Sequence, residues 1–148
     1  MGVFSLDLIK INYYALDKKS LLTEMVEFVV EKKIVEDEKS FLTAVLDREN
    51  LMSTGIGKNV AIPHARGNFV KELKIAVYLL DNELDYNSID GKMVKMVFLI
   101  CVPDTLKNRY MEVLSAISNF LREDKKRENL LNSKSVSEIY EILKGIEI

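Results

Sequence analysis

Apolar residues recur along this chain in two rhythms, every three to four residues and in short dense runs, and the alternation between them predicts the elements. Leu22, Met25, Val26, Val29 and Val30 share one side of a helix, with Asp17 ahead of them as a candidate N-cap. A second helical stripe follows Asp37 with Phe41, Leu42, Val45 and Leu46, and ends around Arg48-Glu49-Asn50. After a glycine turn, Val60-Ala61-Ile62 is short, but its β-branched start and flanking turn signals predict a strand. Leu73 to Leu80 and Met93 to Val102 are longer strand candidates, joined by the polar stretch Asp81 to Lys92, and Pro103 stops the second. Tyr110, Val113, Leu114, Ile117, Phe120 and Leu121 then return to helical spacing, giving a face that has to pack on the sheet. Ser135 followed by Glu138 predicts a capping box, and Ile139, Ile142 and Leu143 supply the buried face of a short last helix. Helices before, between and after strands predict one α/β domain over residues 1–148, a sandwich in which a mixed β-sheet carries helices on both faces. Internal repeats and low-complexity segments are absent from the sequence.

Composition narrows the function classes. With 48% apolar and 30% charged residues, 148 residues suffice for one domain with a full core. Lys and Arg number 21 against 23 Asp and Glu, so the basic footprint of a nucleic-acid binder is missing. The one basic cluster, Lys125-Lys126-Arg127, is flanked by Glu123, Asp124 and Glu128, which predicts a solvated helix face. Met1 to Ile9 has neither a basic leader region nor a small-residue cleavage site. The longest apolar run, Met96 to Val102, falls far short of the ~20 residues of a membrane span. A cytoplasmic protein with no membrane insertion is therefore expected. A single cysteine, Cys101, permits no internal disulfide and offers no cysteine pair to zinc; its place within Val97 to Val102 predicts a packed thiol.

The chemistry concentrates in Ser53-Thr-Gly-Ile-Gly-Lys-Asn-Val-Ala-Ile-Pro-His-Ala-Arg66, which holds the only histidine, His64. Near neutral pH an imidazole keeps one nitrogen lone pair free, which suits it to nucleophilic work; a lone histidine also serves as a hydrogen-bonded structural residue, and chemistry alone leaves both roles open. Other motifs fail on spacing. Gly55 and Gly57 begin a G-x-G, but Val60 stands where a dinucleotide fingerprint needs its third glycine, and the pair precedes the strand. Gly57-Lys58-Asn59 lacks the spacing and hydroxyl of a P-loop, and Ser53 lacks the glycine two positions earlier that a nucleophile elbow requires. Metal ligation would need further imidazoles or a spaced carboxylate set, and neither stands out, so no metal and no organic cofactor are expected.

Taken whole, Arg48-Glu49, Ser53-Thr-Gly-Ile-Gly57 and Ala61-Ile-Pro-His-Ala65 resemble the active-site signature of the enzyme IIA components of the bacterial phosphoenolpyruvate-dependent sugar phosphotransferase system, fructose/mannitol type, which includes nitrogen-regulatory members. The resemblance extends over nearly all of the chain. It implies that His64 is phosphorylated by the carrier protein HPr and passes the phosphoryl group to a cysteine of an enzyme IIB partner, which serves a membrane enzyme IIC permease during sugar uptake. It also implies that Arg48 contacts the phosphohistidine, a role suited to a planar guanidinium that can hold two phosphate oxygens. Gly55 and Gly57 are then expected to bring backbone amides toward the imidazole, and Ser53 or Thr54 to add a hydroxyl donor; a tight turn with no ligand role is the alternative.

One position departs from the family. Where its members commonly carry a second histidine, this chain has Tyr110, which can donate a hydrogen bond but supplies no positive charge and also begins the apolar stripe of its helix. Arg66 and Arg109 either compensate or face solvent. The departure raises an alternative function: a regulatory, nitrogen-type module that controls partner proteins according to the phosphorylation of His64. No IIB or membrane segment is recognisable in the sequence, so the partners are expected to act in trans.

Overall fold

In the computed structural model, residues 2–146 and 148 are described. In chain order they form β1 (Ile9–Tyr13), α1 (Lys18–Glu31), α2 (Glu38–Leu51), β2 (Gly55–Gly57), β3 (Val60–Ala61), β4 (His64–Gly67), β5 (Lys74–Leu84), β6 (Val94–Pro103), α3 (Tyr110–Arg122), α4 (Asp124–Leu131) and α5 (Val136–Leu143), with 3₁₀ turns at Leu6–Leu8 and Asp104–Arg109. The strands make one six-stranded sheet in the order β1-β5-β6-β3-β2, with β4 also on β6. β1–β5, β3–β6 and β4–β6 are parallel, and β5–β6 and β2–β3 antiparallel, so the sheet is mixed as expected.

The two central strands explain both layers. Because side chains alternate across a strand, Ala76, Tyr78 and Leu80 of β5 and Val97, Leu99 and Cys101 of β6 face one side, where α1 and α2 cover them with Leu22, Met25, Val29, Phe41 and Val45. Ile75, Val77 and Leu79 with Met96, Phe98, Ile100 and Val102 face the other, under Val113, Ile117 and Leu121 of α3 and Ile139 and Leu143 of α5. Strands buried on both faces read as the dense apolar runs seen in the sequence. Cys101 is fully buried, and that burial pushes its thiol pKa up, which fits a packed and unreactive role. No helix among the described residues is long and apolar enough to cross a membrane.

Local signals behave largely as their chemistry dictates. The Asp17 carboxylate accepts from Ser20 N–H at 2.8 Å and caps α1, and Asp37 caps α2 in the same way at 3.0 Å. β5 runs four residues past the expected Leu80, because Asp81 to Leu84 continue beside β6 with a register shift before Leu84↔Val94. Two expectations need correction. The last helix has half of the predicted capping box: Ser135 Oγ accepts from Glu138 N–H, but the Glu138 carboxylate reaches the N–H of Lys134, one residue earlier than expected. And Arg127 is not on a solvated face; it is buried, donating to Leu121 O at 2.9 Å and to Asp124 Oδ1 at 2.8 Å, which ties the start of α4 to the end of α3.

The segment Asp85–Lys92 lies against β2, and its close approach depends on Gly55. A Cβ there would meet the Ser88 backbone, whose Cα lies 2.9 Å away, so no side-chain rotation relieves it. Gly55→Ala is expected to destabilise the fold by about 1–3 kcal/mol in urea unfolding, and truncating Ser88 to glycine as well should recover only part of the loss.

Candidate functional site

His64 owes its place to an interrupted strand. β3 and β4 lie on the same edge of β6 in one continuous register, Val60↔Met96 and Ala61↔Val97 before the break and His64↔Ile100 after it. Between them Ile62 and Pro63 leave the ladder: Pro63 has no N–H, though its carbonyl still accepts from Ile100 N at 2.9 Å, while Ile62 N–H turns the other way to Thr54 O at 2.9 Å. The Ile62 carbonyl is thereby free to accept from the His64 ring, whose Nδ1 lies 2.8 Å away. A carbonyl only accepts, so Nδ1 must carry the proton and Nε2 keeps its lone pair. The residue is 5% exposed, and its pKa is lowered from 6.5 chiefly by burial; the Ile62 hydrogen bond opposes this, the Arg48 charge adds to it, and Glu49 opposes it. At pH 7 the imidazole is neutral.

The ring borders an open pocket of about 480 Å³, lined also by Ala44, Arg48, Ala65, Arg66, Lys107, Tyr110 and Met111. Three cations and no carboxylate border it, which suits an anionic group. Arg48 comes from the last turn of α2 and spends one donor, Nη1, on Met52 O at 2.7 Å, which holds the guanidinium in place. Arg66 Nε faces Asp104 Oδ1 at 3.6 Å. Tyr110, at the first position of α3, stands edge-on to the imidazole with ring centroids 5.1 Å apart at 82°, so the structure brings it to His64. Burial raises its hydroxyl pKa against the pull of Arg48 and Arg66, so Tyr110 stays neutral beside the ring. Arg109 does not join the site: it pairs with Glu112 at 3.7 Å and borders a separate depression with Lys74 and Tyr140.

The glycine-rich stretch is placed differently from the expectation. Ser53, Thr54, Gly55 and Gly57 are not among the residues that border the pocket. Ser53 Oγ donates to Tyr86 O at 3.0 Å and accepts from Gly55 N–H at 3.1 Å, so that hydroxyl and that amide are already engaged. Gly57 has φ +97° and sits against Asp90, an arrangement that serves the turn into β3. Thr54 belongs to a buried network around Glu49. Its N–H donates to Glu49 Oε1 at 3.1 Å and its hydroxyl to Oε2, the Tyr86 hydroxyl reaches Oε2 at 3.0 Å, and the Lys18 ammonium pairs with Oε1 at 2.9 Å. Burial, with the Glu49 charge next, pushes the Tyr86 hydroxyl pKa far up, which keeps it a donor.

Glu49 and Lys107 are the residues that the sequence reading left without a role. The signal for Glu49 was present, because it continues the buried Phe41, Val45 stripe of α2 at the next i+4 position, and a carboxylate there demands partners. Its network folds the chain back straight after α2, which sets the Met52 carbonyl where Arg48 can reach it.

Comparisons with known proteins identify the family and the fold. The sequence family described as phosphoenolpyruvate-dependent sugar phosphotransferase system, EIIA 2, matches residues 2–146. The chain is 33% identical over 135 residues to the PTS system fructose-specific EIIABC component of Bacillus subtilis (strain 168), a match that covers 91% of this chain but 21% of that protein. It is 29% identical over 138 residues to the PTS system fructose-specific EIIA component of Haloferax volcanii, covering 93% of this chain and 90% of the relative. The fold superposes on the crystal structure of nitrogen regulatory protein IIA-Ntr from Neisseria meningitidis with TM-score 0.89 and 29% identity, over 95% of this chain and 96% of that one.

The position of His64 yields a prediction with a definite sign. Its imidazole C–H resonances should titrate with a midpoint below 6.5, and Arg48→Gln should move that midpoint up by removing a positive neighbour. Because the folded pKa is depressed, the His64 contribution to stability is fully present above about pH 6.5 and is lost as pH falls through the folded value. The stability difference between wild type and His64→Gln should follow that course in urea unfolding across pH.

Proposed function

The chain belongs to the enzyme IIA type 2 family of the phosphoenolpyruvate-dependent sugar phosphotransferase system, a family of phosphotransfer proteins, and from that membership we propose that it is a cytoplasmic histidine phosphocarrier. His64 Nε2 takes a phosphoryl group from the phosphohistidine of HPr and gives it to a cysteine of an enzyme IIB partner, which serves a membrane enzyme IIC permease during fructose/mannitol-type sugar uptake. The observation that carries this reading is the Nδ1–H bond to the Ile62 carbonyl, which leaves Nε2 as the free nucleophile in a pocket rimmed by cations.

The chemistry follows from that tautomer. Nε2 attacks the phosphorus, the N–P bond to the donor imidazole breaks, and the donor leaves with the electron pair of that bond. The His64 ring becomes positively charged while Nδ1 keeps its proton. Burial disfavours that cation, and the Ile62 carbonyl, already in contact with Nδ1–H, offsets the cost without moving. In the second step a IIB thiolate attacks the same phosphorus, and His64 leaves as the neutral tautomer it began in. The transferring group has a loose transition state with charge on its equatorial oxygens, so the protein contributes position and positive charge. Arg48, with Nη1 held by Met52, presents its remaining donors to those oxygens.

A regulatory module is the second reading, favoured by the similarity to a nitrogen regulatory protein and by the neutral Tyr110 beside the imidazole. It makes the same phosphohistidine but discharges it to no IIB cysteine.

Incubation with phosphoenolpyruvate, enzyme I and HPr should place one acid-labile phosphoryl group on the chain, and His64→Ala should abolish it; label that survives contradicts the proposal. Arg48→Ala should slow transfer more than tenfold, in line with the ~1.5–3 kcal/mol of a charge-assisted hydrogen bond, with little change in Tm. Rapid discharge to one IIB protein of the same organism selects transport, and discharge to none selects regulation.

A further inference from the structure

We propose that Lys107 is a phosphate-contacting cation of this pocket, taking a phosphoryl oxygen on His64 that Arg48 does not cover; the assignment rests on the phosphocarrier reading above. Lys107 borders the same pocket as His64, Arg48 and Arg66. The two arginines have prior commitments, Arg48 Nη1 to Met52 O at 2.7 Å and Arg66 Nε to Asp104 at 3.6 Å. Lys107 is exposed and has no carboxylate within ion-pair distance among the described residues.

Its backbone places it well. Lys107 lies in the 3₁₀ turn Asp104–Arg109, and its carbonyl accepts from the N–H of Tyr110 three residues on. Residues at i and i+3 eclipse each other in a 3₁₀ helix, so Lys107 projects on the same face as Tyr110, whose ring stands against His64. The flexible stem of a lysine lets its ammonium follow a phosphoryl group as it moves from donor to ring to acceptor, whereas Arg48 is held by its bond to the Met52 carbonyl. Tyr110 offers that group a hydroxyl but no charge. The turn that leads into α3 thus supplies a hydrogen-bond donor from one residue and a positive charge from another.

The test uses a donor that needs no protein partner. Phosphoramidate phosphorylates imidazole directly, forming the Nε2–P bond as its own P–N bond breaks and ammonia leaves, so the pocket is loaded whether or not HPr docks. The ³¹P resonance of the loaded protein, followed across pH, gives the apparent pKa of the phosphoryl group. An ammonium in contact favours the dianion, so Lys107→Gln should raise that pKa by about half a unit, and Lys107→Arg should restore it. Lys126→Gln, at a lysine of α4 paired with Glu123, should leave it unchanged. An unaltered titration in Lys107→Gln overturns the proposal and leaves Lys107 at most a docking residue for a partner's carboxylate. If neither phosphoramidate nor HPr labels the wild type, the pocket holds no phosphoryl group, and this proposal and the phosphocarrier reading fall together. A Lys107-dependent shift in a protein that HPr does not phosphorylate supports this proposal and overturns the carrier reading alone.

Discussion

The hydrogen bond from His64 Nδ1 to the Ile62 carbonyl is the constraint on which the site depends, and it exists because a strand is broken without losing register. Had β3 continued straight into β4, the ladder would have claimed the backbone groups of residues 62 and 63. Pro63 removes one donor, Thr54 draws the Ile62 N–H to the other side, and the carbonyl left over becomes a fixed acceptor two residues before the imidazole. Both ends of the interruption are held by β6, itself buried on two faces, so the ring is positioned by a strand packed within the core. In the proposed role, a nucleophile on such a support needs little reorganisation when a phosphoryl group arrives.

Around that fixed ring the charges are layered. Beneath the site the Glu49 carboxylate is enclosed by Lys18, Thr54 and Tyr86, every oxygen occupied, so it stabilises the bend after α2 and offers nothing to a ligand. At the surface Arg48, Arg66 and Lys107 border the pocket. The pairing of a buried, satisfied anion with open cations lets the same short segment do two jobs: Glu49 builds the turn, and the neighbouring Arg48, one residue round the helix and anchored by that turn, is left for the proposed phosphate contact. In this chain positive charge at the pocket comes from Arg48, Arg66 and Lys107, while Tyr110 packs edge-on to the imidazole as a neutral neighbour.

Much of this was legible in the sequence, for physical reasons that also explain what was not. The β5 and β6 runs, the α3 stripe from Tyr110 to Leu121 and the Asp17 cap were readable because burial and capping are local, periodic demands. The His64 run stood out through the spacing of unlike residues. What escaped was set by tertiary contact. Gly55 exists for Ser88, thirty-three residues away, and Gly57 for Asp90, so their proximity to His64 in sequence suggested a shared site that the folded chain does not make. β4 was hidden because a four-residue strand after a proline carries no period, and Arg127 because a buried arginine on a short helix looks, in sequence, like any member of a charged cluster. Lys107 gave no pattern at all, since only the 3₁₀ turn brings it round to the pocket.

The central claim is that the Ile62 carbonyl selects the nitrogen. Long-range ¹H–¹⁵N spectra of the His64 imidazole, recorded at pH 7 before and after phosphorylation, test it most directly. We expect a neutral ring protonated on Nδ1 in the free protein and phosphorus bonded to Nε2 in the loaded one. A proton resting on Nε2, or phosphorus on Nδ1, would contradict it.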